Sequence, residues 1–313
     1  MSPREKNLAI AAWITVCVVW GTTYLGIRVA LESVPVSLVA GLRWTVAGLL
    51  LLAALPAFGQ RVPPRALWGR IAVLAFLMTV MGNGLVVWAQ QYVASGLAAV
   101  FVAANPFWNA GVEALLPRGE RLTARTLIGL AVGFSGIVLL VWPELAVEGG
   151  GGRSFLLGVI ALQLACLGWA LGTSYTKRTA VSADPAGTSA LQMLFGGLMF
   201  MALAAANGDF ARLTFTARSA TAMLYLTLVG SIVGYSSYVY ALRYLPVSTV
   251  SLYAYVNPVI AVVLGTLLLA EPFSARIPMA AALVFSGIAV VRMRRSTFRE
   301  GPISRLAWGA PKK

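Results

Sequence analysis

The amino-acid sequence predicts an all-α integral membrane protein whose ten transmembrane helices form two inverted five-helix repeats, arranged as a basket around a central cavity. Three observations support this fold. The 313 residues are 59% hydrophobic and 11% charged, whereas soluble domains are about one quarter charged. The apolar residues fall into ten runs that basic residues separate. Motifs from the first half of the chain also recur in the same order in the second half.

The apolar runs match the length of membrane-spanning helices, each of which needs roughly 20 residues. The predicted spans are 8–31, 36–56, 67–91, 95–117, 123–142, 154–176, 187–207, 218–243, 246–270 and 276–293. The connections between them are short. The sequence therefore excludes a large soluble catalytic domain on either side of the membrane.

The basic residues predict the orientation of the chain. If the spans alternate in direction, 18 of the 24 Lys and Arg residues share the side of the N-terminus, and cytoplasmic loops carry such an excess. Both termini are therefore predicted to be cytoplasmic, in a cell inner or plasma membrane. Topology explains the net charge of +14 without a nucleic-acid partner. The basic tail, residues 296–313, is expected to lie along anionic lipid headgroups.

The internal repeat divides the chain into residues 1–148 and 149–295. The run CVVW that ends at Trp20 recurs as CLGW ending at Trp169, and the FSGI run at 134–137 recurs at 285–288. The shift between matching positions stays between 149 and 152 residues. Because each repeat holds five spans, an odd number, the second repeat must enter the membrane from the opposite side, as in many transporters.

Four motifs carry a resemblance to a known family. They are the WGTTY cluster at 20–24, the Asn-Pro pairs at 105–106 and 257–258, the E-x-x-[ST] starts at Glu120 and Glu271, and the FSGI runs. Together they resemble EamA-type proteins of the drug/metabolite transporter superfamily, with amino-acid and metabolite exporters as the nearest likeness. The resemblance implies a central cavity lined by spans 1, 3, 4, 6, 8 and 9, and alternating access.

The Asn-Pro pairs lie in the middle of spans 4 and 9. Proline has no N–H, so Pro106 and Pro258 leave the carbonyls of Val102 and Ala254 without their helical partners. Such breaks persist in a membrane where they face protein, water or ligand. One interpretation is a bent helix pair that offers amide and carbonyl groups to a substrate. The other is a pair of packing kinks that neighbouring helices satisfy.

Further candidates are aromatic or polar groups inside the spans. Trp20 and Trp169 occupy equivalent positions, and Asn83 is the repeat counterpart of Tyr235. An embedded Asn is costly in lipid and is expected to face inward. The predicted substrate-binding residues are Trp20, Thr23, Asn83, Asn105, Pro106, Trp169, Tyr235, Tyr238, Tyr253, Asn257 and Pro258.

Charged residues inside the spans are few. Glu113 is a candidate gating or proton-coupling residue, and the alternative is a structural ion pair with Arg118 or Arg121. Arg43 is expected either to bind Glu32 or to extend towards the interface.

The helix starts carry their own signals. Thr123 and Ser274 are predicted N-caps of spans 5 and 10. Glu120 and Glu271, which precede them by three residues, are therefore predicted to belong to the same helix starts.

Enzymatic chemistry has few candidate residues in this sequence. The chain has no histidine, which removes the commonest general base and metal ligand. Cys17 and Cys166 lie inside apolar runs, so neither a disulfide nor a metal site is predicted. We therefore predict that the protein is not an enzyme and has no cofactor.

The favoured function is export of small zwitterionic or neutral metabolites, most plausibly amino acids, by a monomer or weak homo-oligomer. A sugar phosphate or nucleotide sugar would require basic residues at mid-depth, and the embedded basic residues are expected near span ends. A cationic drug would require a carboxylate in the first span, which has none. A passive channel would require rings of like residues. Proton coupling and facilitated export both stay open.

Overall fold

The structure, a computed structural model, describes residues 3–117, 123–145, 151–179, 185–245, 250 and 253–292. Within these ranges all regular secondary structure is helical. The helices are α1 (Pro3–Ala30), α2 (Val36–Ala54), α3 (Arg65–Ala89), α4 (Ser95–Val102 and Asn105–Leu115), α5 (Ala124–Leu145), α6 (Gly151–Arg178), α7 (Pro185–Ala206), α8 (217–244), α9 (Tyr253–Leu269) and α10 (Arg276–Arg292).

Six of these helices are long and apolar enough to cross a membrane, namely α1, α2, α3, α6, α7 and α8. The apolar parts of α5, α9 and α10 are shorter, at Leu127–Leu140, Val256–Leu269 and Arg276–Val290. At a rise of about 1.5 Å per residue, a helix needs roughly 20 residues to span the hydrocarbon layer. The prediction of an all-helical, multi-pass membrane protein is confirmed, and each of the helices α1 to α10 overlaps one predicted span.

The helices of the two halves pack in corresponding ways. α2 lies along α7, and α5 lies along α10. α1 contacts α8 and α9, while α6 makes the equivalent contacts with α3 and α4. Exchanging α1–α5 with α6–α10 therefore leaves this set of contacts unchanged.

Both α3 and α8 contain a π-helical stretch near the middle. The stretches are Ala75–Gly84 in α3 and Leu226–Val233 in α8. A π-helix forms hydrogen bonds between residues five apart and is frequent at functional sites. One backbone carbonyl from each stretch, that of Met78 and that of Gly230, accepts a side-chain hydrogen bond at the candidate site described below.

The two Asn-Pro helices differ, in contrast to the prediction of an equivalent bent pair. α4 ends at Val102 and restarts at Asn105, so that Pro106 lies in the first turn of the second piece. Proline is tolerated there because a first-turn N–H has no helical partner anyway. α9 continues through Pro258 as one helix. The predicted interruption is thus seen in α4, whereas α9 runs through Pro258 without one.

Candidate functional site

Four predicted site residues form an aromatic cluster, which we define as Trp20, Tyr235, Tyr238 and Tyr253. The Trp20 ring centroid lies 5.2 Å from that of Tyr238 and 4.9 Å from that of Tyr253. Tyr238 lies 6.0 Å from Tyr253 and 6.4 Å from Tyr235. All four side chains are half-buried. Three helices, α1, α8 and α9, thus bring partly accessible aromatic faces together.

Trp20 is positioned by the middle of α8. Its indole N–H donates to the carbonyl of Gly230, at 3.3 Å, inside the π-helical stretch. Its ring packs against Gly234, where a Cβ would lie only 2.6 Å from Nε1 of Trp20. Thr23 is buried and donates its hydroxyl to the carbonyl of Trp20, at 2.7 Å. Thr23 therefore contributes to the wall of the site, while its donor is used within α1.

Asn257 links α9 to α1. Its amide nitrogen, assigned from the hydrogen-bond network, donates to the carbonyls of Cys17 and Tyr253, both at 3.0 Å. Asn257 is 7% exposed and the adjacent Pro258 is also buried. Its bond to the carbonyl four residues earlier reinforces the turn before Pro258.

Asn105 has a different environment. It accepts hydrogen bonds from Asn109, one turn ahead, at its backbone oxygen (3.1 Å) and its side-chain oxygen (2.5 Å). The carbonyl of Val102 accepts from the thiol of Cys166 on α6, at 3.7 Å. The predicted loss of a helical partner at Val102 is therefore compensated by a neighbouring helix. No side-chain bond reaches back across the break among the described contacts of Asn105.

The remaining two candidates meet where α3 and α6 pack. Asn83 donates to the carbonyl of Met78, at 2.8 Å, inside the π-helical stretch of α3. Trp169 packs against Gly82, where a Cβ would lie 2.7 Å from its ring. The two tryptophans thus pack against equivalent glycines, Gly82 and Gly234. We refer to the candidates on α3, α6 and α4 together as the amide group, after the two asparagines among them. Its members are Asn83, Trp169, Asn105 and Pro106.

Glu113 lies in an ion pair between α4 and α6. Its carboxylate is 3.1 Å from the guanidinium of Arg178 and accepts a hydrogen bond from Ser174 at 2.6 Å. The predicted partners Arg118 and Arg121 lie outside the described residues. Glu113 therefore forms an ion pair between two helices, and its partner Arg178 is one that the sequence did not indicate.

Both predictions for Arg43 are wrong. Glu32 instead pairs with Arg218, at 3.2 Å. Arg43 is 5% exposed, donates from Nε to the hydroxyl of Ser231 at 2.9 Å, and lies 4.4 Å above the ring of Trp44. It therefore points into the helix bundle towards α8. Its only sequence signal was a single cation within an apolar run.

Glu271 belongs to a different helix start from the one predicted. Its carboxylate accepts from the backbone N–H of Ser95, at 2.7 Å, and of Gly96, at 3.2 Å. It also accepts from the Ser95 hydroxyl at 3.0 Å. Glu271 therefore caps α4 rather than α10, and a carboxylate at a helix N-terminus is stabilised by the helix dipole. Glu120 lies outside the described residues.

A cavity of about 600 Å³ lies apart from these groups, between the α1–α2 turn, α3 and α7. Asp209, in the short helix that follows α7, lines it and accepts hydrogen bonds from Ser37 and Arg212. The Ser37 hydroxyl is the main cause that lowers the pKa of Asp209, and Arg212 adds to the effect while burial opposes it. None of the predicted substrate-binding residues lines this cavity.

The chain resembles known transporters along nearly its whole length. The model of the EamA-like transporter family matches residues 7–142 and again residues 156–293. The uncharacterized inner membrane transporter YedA of Escherichia coli K12 is 32% identical over 96% of this chain and 95% of its own. A protein of the same organism named "Probable amino-acid metabolite efflux pump" is 26% identical over 92% and 94%. One solved crystal structure superposes with a TM-score of 0.61 at 19% identity, covering 91% of this chain and 96% of the other.

Proposed function

The chain belongs to the EamA-like transporter family and is a membrane transporter, not an enzyme, and we propose that it exports amino acids by alternating access. The observation that carries this proposal is the aromatic cluster, because three helices contribute it and its rings stay partly accessible. Aromatic faces attract ammonium groups. The buried amides and carbonyls around the cluster can select small polar solutes.

The proposed architecture is ten spans in two inverted repeats, residues 1–148 and 149–295, around a central cavity. The equivalent helix contacts in the two halves support it, as does the twofold match of the family model. Five spans per repeat would reverse the second repeat and place both termini in the cytoplasm. The basic tail, 296–313, would then face the anionic inner leaflet.

Amino acids are proposed as the substrate class on two grounds. A relative carries the name of an amino-acid metabolite efflux pump, and the aromatic cluster suits an ammonium group on a small solute. A cationic drug is less favoured because α1 carries its only acidic residue, Glu5, in its first turn. Sugar phosphates, nucleotide sugars and passive conduction are the alternatives that the test must exclude.

The break in α4 and the two π-helical stretches are the proposed points of bending. Interrupted helices can change direction with fewer broken hydrogen bonds than continuous ones. They also lie in the helices that carry the candidate residues, α3, α4 and α8. Motion there would change the exposure of the site to each side of the membrane.

Counterflow in proteoliposomes tests the proposal. Vesicles containing the purified protein are loaded with an unlabelled amino acid and diluted into the labelled compound. A carrier gives transient accumulation of label and saturable exchange. Non-saturating flux without accumulation would indicate a channel, and counterflow of sugar phosphates or nucleotide sugars but of no amino acid would reject the substrate class.

Energy coupling is tested at Glu113. Because this carboxylate is paired with Arg178 and Ser174, we expect Glu113→Gln to leave the pH response of counterflow unchanged. Transport that continues but loses its pH dependence would make Glu113 a proton-coupling residue.

A further inference from the structure

Arg43 is a buried cation with unused hydrogen-bond donors. A guanidinium carries five N–H groups and cannot be neutralised in a protein. Among the described contacts only Nε is bonded, to Ser231, while Nη1 and Nη2 have no hydrogen-bond partner. Arg43 takes part in none of the described ion pairs Glu113–Arg178, Asp209–Arg212 and Glu32–Arg218.

A cation in this position is costly unless an anion or several acceptors satisfy it. Charged residues within membrane spans face the protein interior and mark solute pathways, and an unpaired buried charge is strongly unfavourable. The Trp44 ring below the guanidinium offsets part of this cost. The free Nη groups still provide two parallel donors, which is the arrangement that binds a carboxylate.

Arg43 adjoins the aromatic cluster. A Cβ at Gly230 would lie 3.4 Å from Nη2 of Arg43 and 3.1 Å from the Thr23 methyl group. The carbonyl of the same glycine accepts the indole N–H of Trp20. The guanidinium and the cluster therefore contact the same turn of α8. A zwitterion there can present its carboxylate to Arg43 and its ammonium group to the aromatic faces.

The other half of the chain shows that the fold does not require a charge here. The repeat counterparts of Arg43 and Ser231 are Gln192 and Thr79, and Gln192 donates to the Thr79 hydroxyl at 3.4 Å. The same contact between helices is thus made by a neutral pair. What Arg43 adds to this contact is a positive charge with free donors.

We propose that Arg43 binds the carboxylate of the transported solute and that Ser231 holds its guanidinium in place. This inference rests on the proposed transport function and narrows its substrate class. The substrates are small solutes that carry a carboxylate, with amino acids favoured over amines, polyamines and neutral sugars. The equivalent position of the second half carries the neutral Gln192 and so provides no second guanidinium.

The test compares acids with their neutral derivatives in the purified full chain. The probes are phenylalanine, leucine and threonine, each paired with its own carboxamide, measured by counterflow and by ligand-induced thermal stabilisation. In the wild type, each acid should compete better than its amide by about tenfold or more, as expected for a hydrogen bond to a charged group. Amides that are bound and transported as well as the acids would overturn the proposal.

The variant that tests the charge alone is Arg43→Gln. It introduces the residue found at the equivalent position of the second half, Gln192, and is therefore expected to fold. Its preference for acids over amides should disappear, and Arg43→Lys should retain part of it, since a lysine keeps the charge but not the fork of donors. Arg218→Gln, which removes an exposed positive charge, is the matched control and should keep the full preference. An unchanged preference in Arg43→Gln would also overturn the proposal.

The two readouts separate failure of the inference from failure of the proposed function. If wild-type vesicles show no counterflow, yet acids stabilise the wild type and not Arg43→Gln, the carboxylate site stands and the carrier proposal fails. If counterflow occurs and amides move as fast as acids, the carrier proposal stands and the inference fails.

Discussion

The aromatic cluster and the amide group occupy equivalent helices but differ in chemistry. Trp20 and Trp169 correspond, and each packs against a glycine of the opposite half. Around them, Tyr235 and Tyr253 of the cluster correspond to Asn83 and Phe101. Among the described residues, Arg43 is the buried arginine, and it lies beside the cluster. The helices of the two halves thus pack in the same way, while the side chains at equivalent positions differ.

The difference teaches how a duplicated fold can hold one asymmetric ligand. The equivalent helices α3 and α8 are interrupted in the same way, each by a π-helical stretch. Two identical binding half-sites would suit a symmetric ligand, whereas the substrate that we propose, an amino acid, has unlike ends. The aromatic faces and the guanidinium lie on one side, and the amides lie on the other. The two sides therefore provide different binding partners for the two ends of such a ligand.

The largest expected contrast lies between the two asparagines. Asn257→Leu removes the side-chain donor to the carbonyls of both Cys17 and Tyr253, and should lower the free energy of unfolding by about 1–3 kcal/mol, since each lost hydrogen bond contributes about 0.5–1.5 kcal/mol. Asn105→Leu loses only the bond that Asn109, on the same helix, donates to the Asn105 side-chain oxygen and should cost about 1 kcal/mol or less. Thermal denaturation in detergent measures both changes. Equal losses would contradict the different roles that we assign to the two residues.

The two tryptophans provide the next contrast. Trp20→Phe removes the hydrogen bond to the Gly230 carbonyl and reduces the π-surface of the cluster, so the apparent affinity in counterflow should fall about tenfold. Trp169→Phe is the matched substitution at the equivalent site, where no such cluster exists among the described contacts, and its affinity should stay within about twofold. If Trp169→Phe has the larger effect, the solute binds to the amide group instead.

The sequence predicted the helices well because hydropathy and charge are local properties. Three of the predicted substrate-binding residues, Trp20, Tyr238 and Tyr253, lie on helices that contact one another. The sequence did not predict that Val102 of α4 and Asn257 of α9 bond to Cys166 and Cys17, because other helices contribute these cysteines. It missed the environment of Arg43 for the same reason, since Ser231 lies 188 residues away. The π-helical stretches leave no mark in hydrophobic periodicity.

The smallest expected contrast lies in the turns that follow α2 and α7. Both turns contain a left-handed glycine, Gly59 with φ 65° and Gly208 with φ 69°, but the next residue is exposed Gln60 in one and buried Asp209 in the other. Ser37 and Arg212 lower the pKa of Asp209 below its ordinary 3.8. A lowered carboxyl pKa stabilises the fold above the ordinary pKa, and that contribution disappears as the pH falls through the lowered value.

Ser37→Ala should therefore reduce thermal stability at neutral pH by about 2 °C or less and should bring the pKa of Asp209 closer to its ordinary value. The acid-induced fall in melting temperature then becomes shallower, because less stabilisation remains to be lost. Gln60→Ala, at the equivalent turn, should change neither quantity. Melting curves recorded between pH 7 and pH 3 in detergent measure both effects. An acid-induced fall as steep in Ser37→Ala as in the wild type would mean that the bond between α2 and this turn does not control the ionisation of Asp209.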